Sequence, residues 1–136
     1  MTDEQYAAID EYLRALADIM GLKDWEIHLQ RKRPDNPNHA ACIQSIYGRR
    51  HANVWVDDAF LDDAPESQRE TLTHELLHLH INPIKHALQN ARTNLGEHTY
   101  GVVEGMMDDA TEFAVDGIAR VLAAYLPLPP EGDANA

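Results

Sequence analysis

Apolar positions along this chain change period several times, and each change marks an element. Tyr6, Ile9, Leu13, Leu16 and Met20 recur at helical spacing and stop at Gly21, with Thr2 and Gln5 three apart as a capping box, which predicts a first amphipathic helix. From Trp25 to Leu29 the period falls to two, as in a strand with Trp25, Ile27 and Leu29 inward and His28 outward. Pro34 to Asn38 is dense in turn residues, so the chain reverses before a second strand built on Ala41, Ile43 and Ser45 or on their alternates. His51 to Val56 supplies a third strand, with Val54 and Val56 on one face and Trp55 on the other. Three strands in succession predict a β-meander.

Asp57, Asp58, Asp62, Asp63 and Pro65 close that strand and open a helix in which Leu72, Leu76 and Leu79 form an apolar stripe. Asn82-Pro83 is expected to end it, because proline disfavours helical geometry in the preceding residue. A shorter helix around Ile84 to Asn94, a break at Gly96 and a long helix from about Val102 to Leu126 follow, until Pro127, Pro129 and Pro130 stop the pattern. In the long helix Val103, Met107, Ala110, Ala114, Ile118, Val121 and Tyr125 form one apolar stripe. Glu104, Asp108, Glu112 and Asp116 follow each other at i+4 opposite it. The expected fold class is α+β: an N-terminal helix on a small, mainly antiparallel three-stranded sheet, then two helices. Residues 1–130 read as a single domain and 131–136 as a flexible tail.

A chain of 136 residues, 44% hydrophobic and 25% charged, has room for one core and no second lobe. Eleven Lys and Arg against 23 Asp and Glu leave a net charge of -12, which repels phosphate backbones and anionic lipid. Nucleic acid is therefore not an expected partner. Arg31-Lys32-Arg33 and Arg49-Arg50 read as loop and strand-end charges. Apolar runs all fall well short of the roughly 18 residues of a membrane span, and the polar N-terminus lacks a signal-peptide core, so a cytoplasmic site is expected. Cys42 is the lone cysteine, expected as a small buried core residue. Histidine and carboxylate are left as metal-ligand types.

Those types converge at His74-Glu75-Leu76-Leu77-His78. Histidines at i and i+4 lie on one helix face and can reach one metal, while Glu75, at the edge of that face, can take a proton from water without being a ligand. The leucine stripe lies roughly opposite, so one side can pack while the other holds zinc. A catalytic zinc needs a third protein ligand. Ile81 and Ile84 stand where the longer pattern with a third histidine requires glycine and histidine, which leaves a carboxylate from a later helix. An acidic row is ordinarily a solvated face, but four carboxylates without basic partners on their own helix face repel one another, and a dication would relieve this.

His74 to His78 followed by Glu112-Phe113-Ala114-Val115-Asp116-Gly117-Ile118-Ala119 resembles the gluzincin metallopeptidases, especially the short zincin-like domains of phages and bacteria. The resemblance implies a minimal zincin fold with Glu112 as the third zinc ligand and Asp116 as a supporting companion. It also implies that the strand near 51–56 borders the substrate cleft. Glu104, with Asp108 four residues on, is an alternative ligand one register earlier. Small Ala119 would let the two helices approach. Tyr100 or His98, expected between the last helices, is a candidate oxyanion stabiliser. His28, His39, His51, His80, His86 and His98 read as surface residues, though one of them could still assist catalysis. The expected activity is hydrolysis of peptide bonds in a protein or peptide substrate, with zinc-activated water and Glu75 as general base. The alternative is a catalytically weak zinc-binding regulatory domain of zincin ancestry. A DNA-associated protease of the SprT-like kind fits the acidic balance less well.

Overall fold

The computed structural model describes residues 1–31, 40–46 and 48–130. The expected turn at Pro34 to Asn38, with Lys32, Arg33 and His39, lies outside the described residues, as does the expected tail. Helix α1 (Asp3–Ile19) starts at the capping box: the Thr2 hydroxyl accepts from the Gln5 amide at 3.2 Å and the Gln5 side chain accepts from the Thr2 amide at 2.8 Å. Its Leu13 and Leu16 are fully buried.

Strands β1 (Glu26–Leu29), β2 (Ala41–Ser45) and β3 (His51–Val56) form one sheet in the order β1-β3-β2. β1 runs parallel to β3, with Glu26 opposite His51 and Leu29 opposite Val54. β2 is antiparallel to β3, with Ala41 opposite Val56 and Ser45 opposite Ala52. The sheet is therefore mixed, and the expected meander is corrected. β3 takes the centre because its inward residues Ala52, Val54 and Val56 are all buried, whereas β1 has only four residues and β2 carries Gln44 and Ser45 at its end. His28 faces outward, as its alternation requires.

After the one-turn α2 (Asp58–Asp62), capped by Asp57 and anchored by buried Phe60, α3 (Pro65–Asn90) runs for 26 residues. It passes through Pro83 instead of ending at Asn82. Proline inside a helix removes one backbone hydrogen bond and costs about 3 kcal/mol, so tertiary anchors on either side of it must compensate. The Asn82 amide donates to the Ser45 hydroxyl at 2.6 Å, and Lys85 pairs with Asp108 at 2.8 Å. Short α4 (Arg92–Leu95) then leads through Gly96, at φ +75°, into α5 (Glu97–Ala123), which starts five residues before the expected Val102.

The main core joins α1, the sheet, Phe60 and the Leu72, Leu76, Leu79 stripe. A smaller one, Leu77 with Val115 and Ala119, lies between α3 and α5. It corrects the expected packing face of α5: Ala110, Ala114, Ile118, Val121 and Tyr125 are exposed, whereas Thr111, Val115, Ala119 and Ala123 are buried. The helix is turned by about one residue's rotation, roughly 100°, from the expected orientation. Small side chains at the contact let α5 lie close to α3 and bring the acidic row to the seam.

Beyond α5, the Leu126 carbonyl accepts from Arg69 at 3.0 Å and the Pro127 carbonyl accepts from the Tyr12 hydroxyl at 2.8 Å. Burial pushes the Tyr12 hydroxyl up to about 12, which keeps it a donor. Among the described residues, no helix is long and apolar enough to cross a membrane.

Candidate metal centre

Rotation of α3 about its axis is fixed by Leu72, Leu76 and Leu79 in the main core, while the buried Thr73 hydroxyl is satisfied within the helix, donating to the Arg69 carbonyl at 2.7 Å. His74 and His78 are thereby left facing α5. Their Nε2 atoms are 3.1 Å apart, and the Glu112 carboxylate lies 3.4 Å from His74 Nε2 and 3.3 Å from His78 Nε2. Four-coordinate zinc with bonds of about 2.0–2.1 Å holds its ligand atoms about 3.3 Å apart, so this donor set has the spacing and chemistry of a tetrahedral zinc site with one position left open. Burial holds the His78 imidazole below its ordinary value, against the opposing pull of Glu112, and favours the neutral form that can ligate.

Behind His74, Asp116 Oδ1 is 2.9 Å from Nδ1. A proton on Nδ1 donated to this carboxylate leaves the Nε2 lone pair directed at Glu112 and His78. The rest of the acidic row is engaged elsewhere. Asp108 pairs with Lys85, and Glu104 accepts from the Tyr100 hydroxyl at 2.7 Å. Glu104 is also eight residues, or about 12 Å along the helix, from Glu112. Lys85 neutralises part of the row from α3, a partner that the pattern on α5 alone does not reveal.

Glu75, half-buried beside His74, faces the outer edge of β2, which pairs with no further strand among the described residues. Burial, reinforced by the negative charge of Glu112, pushes its carboxyl up to about 7, while the Ile43 backbone amide pulls the other way. A carboxyl poised near neutrality is matched to exchanging protons with water and a leaving group.

Two hollows meet at Glu75. One, of about 390 Å³, lies between β2 and the far half of α3, with Asn82, Lys85, His86 and Gln89 along its wall. The other, of about 410 Å³, runs in the opposite direction past Ser67, Glu70, Thr71 and Asp116. The strand bordering the cleft is therefore β2, not the 51–56 strand, which sits behind it at the sheet centre. Cys42, expected in the core, is half-buried and lines the first hollow.

Tyr100 and His98 lie in the first turn of α5 and line neither hollow, which corrects their placement as oxyanion stabilisers between the helices. Asn82, Lys85 and Gln89 were not singled out from sequence, and His86, expected as a surface residue, lines the same wall. The signal for the first three was the continuation of the His74, His78 face to Asn82 at i+4, Lys85 at i+7 and Gln89 at i+11, hidden by Pro83. His80, on a different face, reaches the Met20 carbonyl at 2.9 Å and ties α3 to the end of α1. Comparison with protein-family models, curated protein sequences and solved structures gives no match to this chain.

Proposed function

We propose that this protein is a zinc-dependent metallopeptidase of minimal zincin type, acting on a protein or peptide substrate from a cytoplasmic location. The observation that carries the reading is the convergence of His74, His78 and Glu112 at zinc-ligand spacing beside a half-buried Glu75, on the wall of an open cleft. In this reading the two histidines and Glu112 would hold zinc, and bound zinc would supply the Lewis acidity that makes water a nucleophile near neutral pH.

The chain's own groups perform the remaining tasks. Glu75 removes a proton from water as its oxygen attacks the carbonyl carbon, then returns the proton to the amide nitrogen as the C–N bond breaks. Asp116 holds His74 in the ligating tautomer. The outward amides and carbonyls of β2 offer an extended substrate backbone a partner across the cleft.

The test measures zinc content and peptide hydrolysis together, in wild type and in Glu75→Gln. Wild type should carry one equivalent in the His74 centre and cleave an unstructured protein. The variant should keep that zinc and lose activity at least about 100-fold, since the amide preserves shape but not basicity. Retention of the wild-type rate by Glu75→Gln would overturn the mechanism. Zinc bound without hydrolysis in wild type would favour the regulatory domain instead.

A further inference from the structure

The outer face of the sheet carries a second cluster with no part in the proposed hydrolysis. Alternation in β1 sends Ile27 and Leu29 into the core and turns Glu26 and His28 outward, and the parallel register sets His51 of β3 beside Glu26. One ligand atom from each of Glu26, His28 and His51 lies within 4.8 Å of the others. His51 Nδ1 is 3.3 Å from Glu26 Oε2, and the two imidazoles stand with ring centroids 4.8 Å apart. The Glu26 amide donates to the Arg50 carbonyl at 2.9 Å, which pins the strand register. The Arg50 guanidinium is drawn to Asp24 at 2.7 Å instead of neutralising Glu26.

We propose that Glu26, His28 and His51 form a second metal site, selective for late first-row dications such as Zn²⁺, Ni²⁺ and Cu²⁺. Two imidazoles and one carboxylate are the donor types these ions prefer over the oxygen-only sets of Mg²⁺ and Ca²⁺. All three donors stand on paired strands, so little ordering is needed on binding. The ion would clip a four-residue edge strand to the sheet centre. Solvent exposure makes this the weaker and more exchangeable of two sites, and it stands whether or not the His74 centre is catalytic.

The experiment titrates metal-free full-length protein with Zn²⁺ against a chromophoric chelator. Wild type should take two equivalents, the second at least about tenfold weaker. His28→Asn with His51→Asn should remove the weaker one and leave peptide hydrolysis unchanged, and Glu112→Ala should remove the tighter. Glu26→Ala, at an exposed position, provides a second variant and should weaken the outer site about tenfold. Two equivalents persisting in the His28, His51 variant would overturn the inference. So would no uptake, or a single equivalent removed only by Glu112→Ala. A single equivalent removed only by the His28, His51 change would uphold the outer site and dismiss the His74 centre.

Discussion

At the scale of single residues, Glu75 gives the clearest signature. Its carboxyl is raised from 4.5 to about 7, first by burial and then by Glu112, so the folded chain binds this proton more tightly than the unfolded chain does. The metal-free protein should therefore lose stability as pH rises from about 4.5 to about 7, by up to about 3 kcal/mol from this group. His78, held low by burial, contributes the opposite slope at and below its ordinary value. Urea unfolding of wild type and Glu75→Gln at several pH values separates the two, because only wild type should show the Glu75 decline. Parallel curves would show that Glu75 ionises freely. The acidic row supplies a second measurement, zinc retained after dialysis against a moderate chelator. Glu112→Ala should lose most of the zinc of the His74 centre and Glu104→Ala should keep it. Asp116→Ala should bind about 10- to 100-fold more weakly, as for a residue that orients a ligand. Loss in Glu104→Ala alone would move the third ligand one register back.

At the scale of elements, what could be read from the chain depended on how local each signal was. The capping box of α1 and the leucine stripe behind His74 and His78 are contained within one or two helical turns, and both stand as expected. The sheet order was hidden because it depends on which strand competes best for the centre, and Ala52, Val54 and Val56 win that place only through long-range burial. Pro83 carried a correct local preference that tertiary anchors at Asn82 and Lys85 override, and with it went half the cleft wall. On α5 the larger apolar residues outweighed the small ones on the helical wheel. Helix approach favours Val115 and Ala119, and the seam with α3 follows them. Glu112 was reached by resemblance, since spacing within α5 does not distinguish it from Glu104. The seam yields its own expectation: Ala119→Leu should force α5 away from α3. Overpacking should cost about 1–3 kcal/mol in thermal or urea unfolding and lower zinc affinity with it. A variant that loses stability but keeps full affinity would uncouple the seam from the metal centre.

At the scale of the whole molecule, the main core and the smaller α3–α5 core share Met20 and Leu122 at their margins, so the helix pair that carries the centre is braced against the sheet. The chain is acidic overall, and Arg31 and Arg50 are engaged by Asp3 and Asp24, respectively. The two hollows meeting at Glu75 have a consequence for how a substrate would be handled. A chain laid along α3 can continue past the reacting bond in both directions, into the hollow lined by Asn82, Lys85 and Gln89 on one side and the hollow lined by Ser67, Glu70 and Thr71 on the other. On the proposed activity the enzyme threads its substrate and is an endopeptidase. Peptides acetylated at one end and amidated at the other should be cut as fast as their free-ended counterparts, with mass spectrometry placing the scission several residues from either end. Stepwise loss of single terminal residues would mean that one hollow is a dead end.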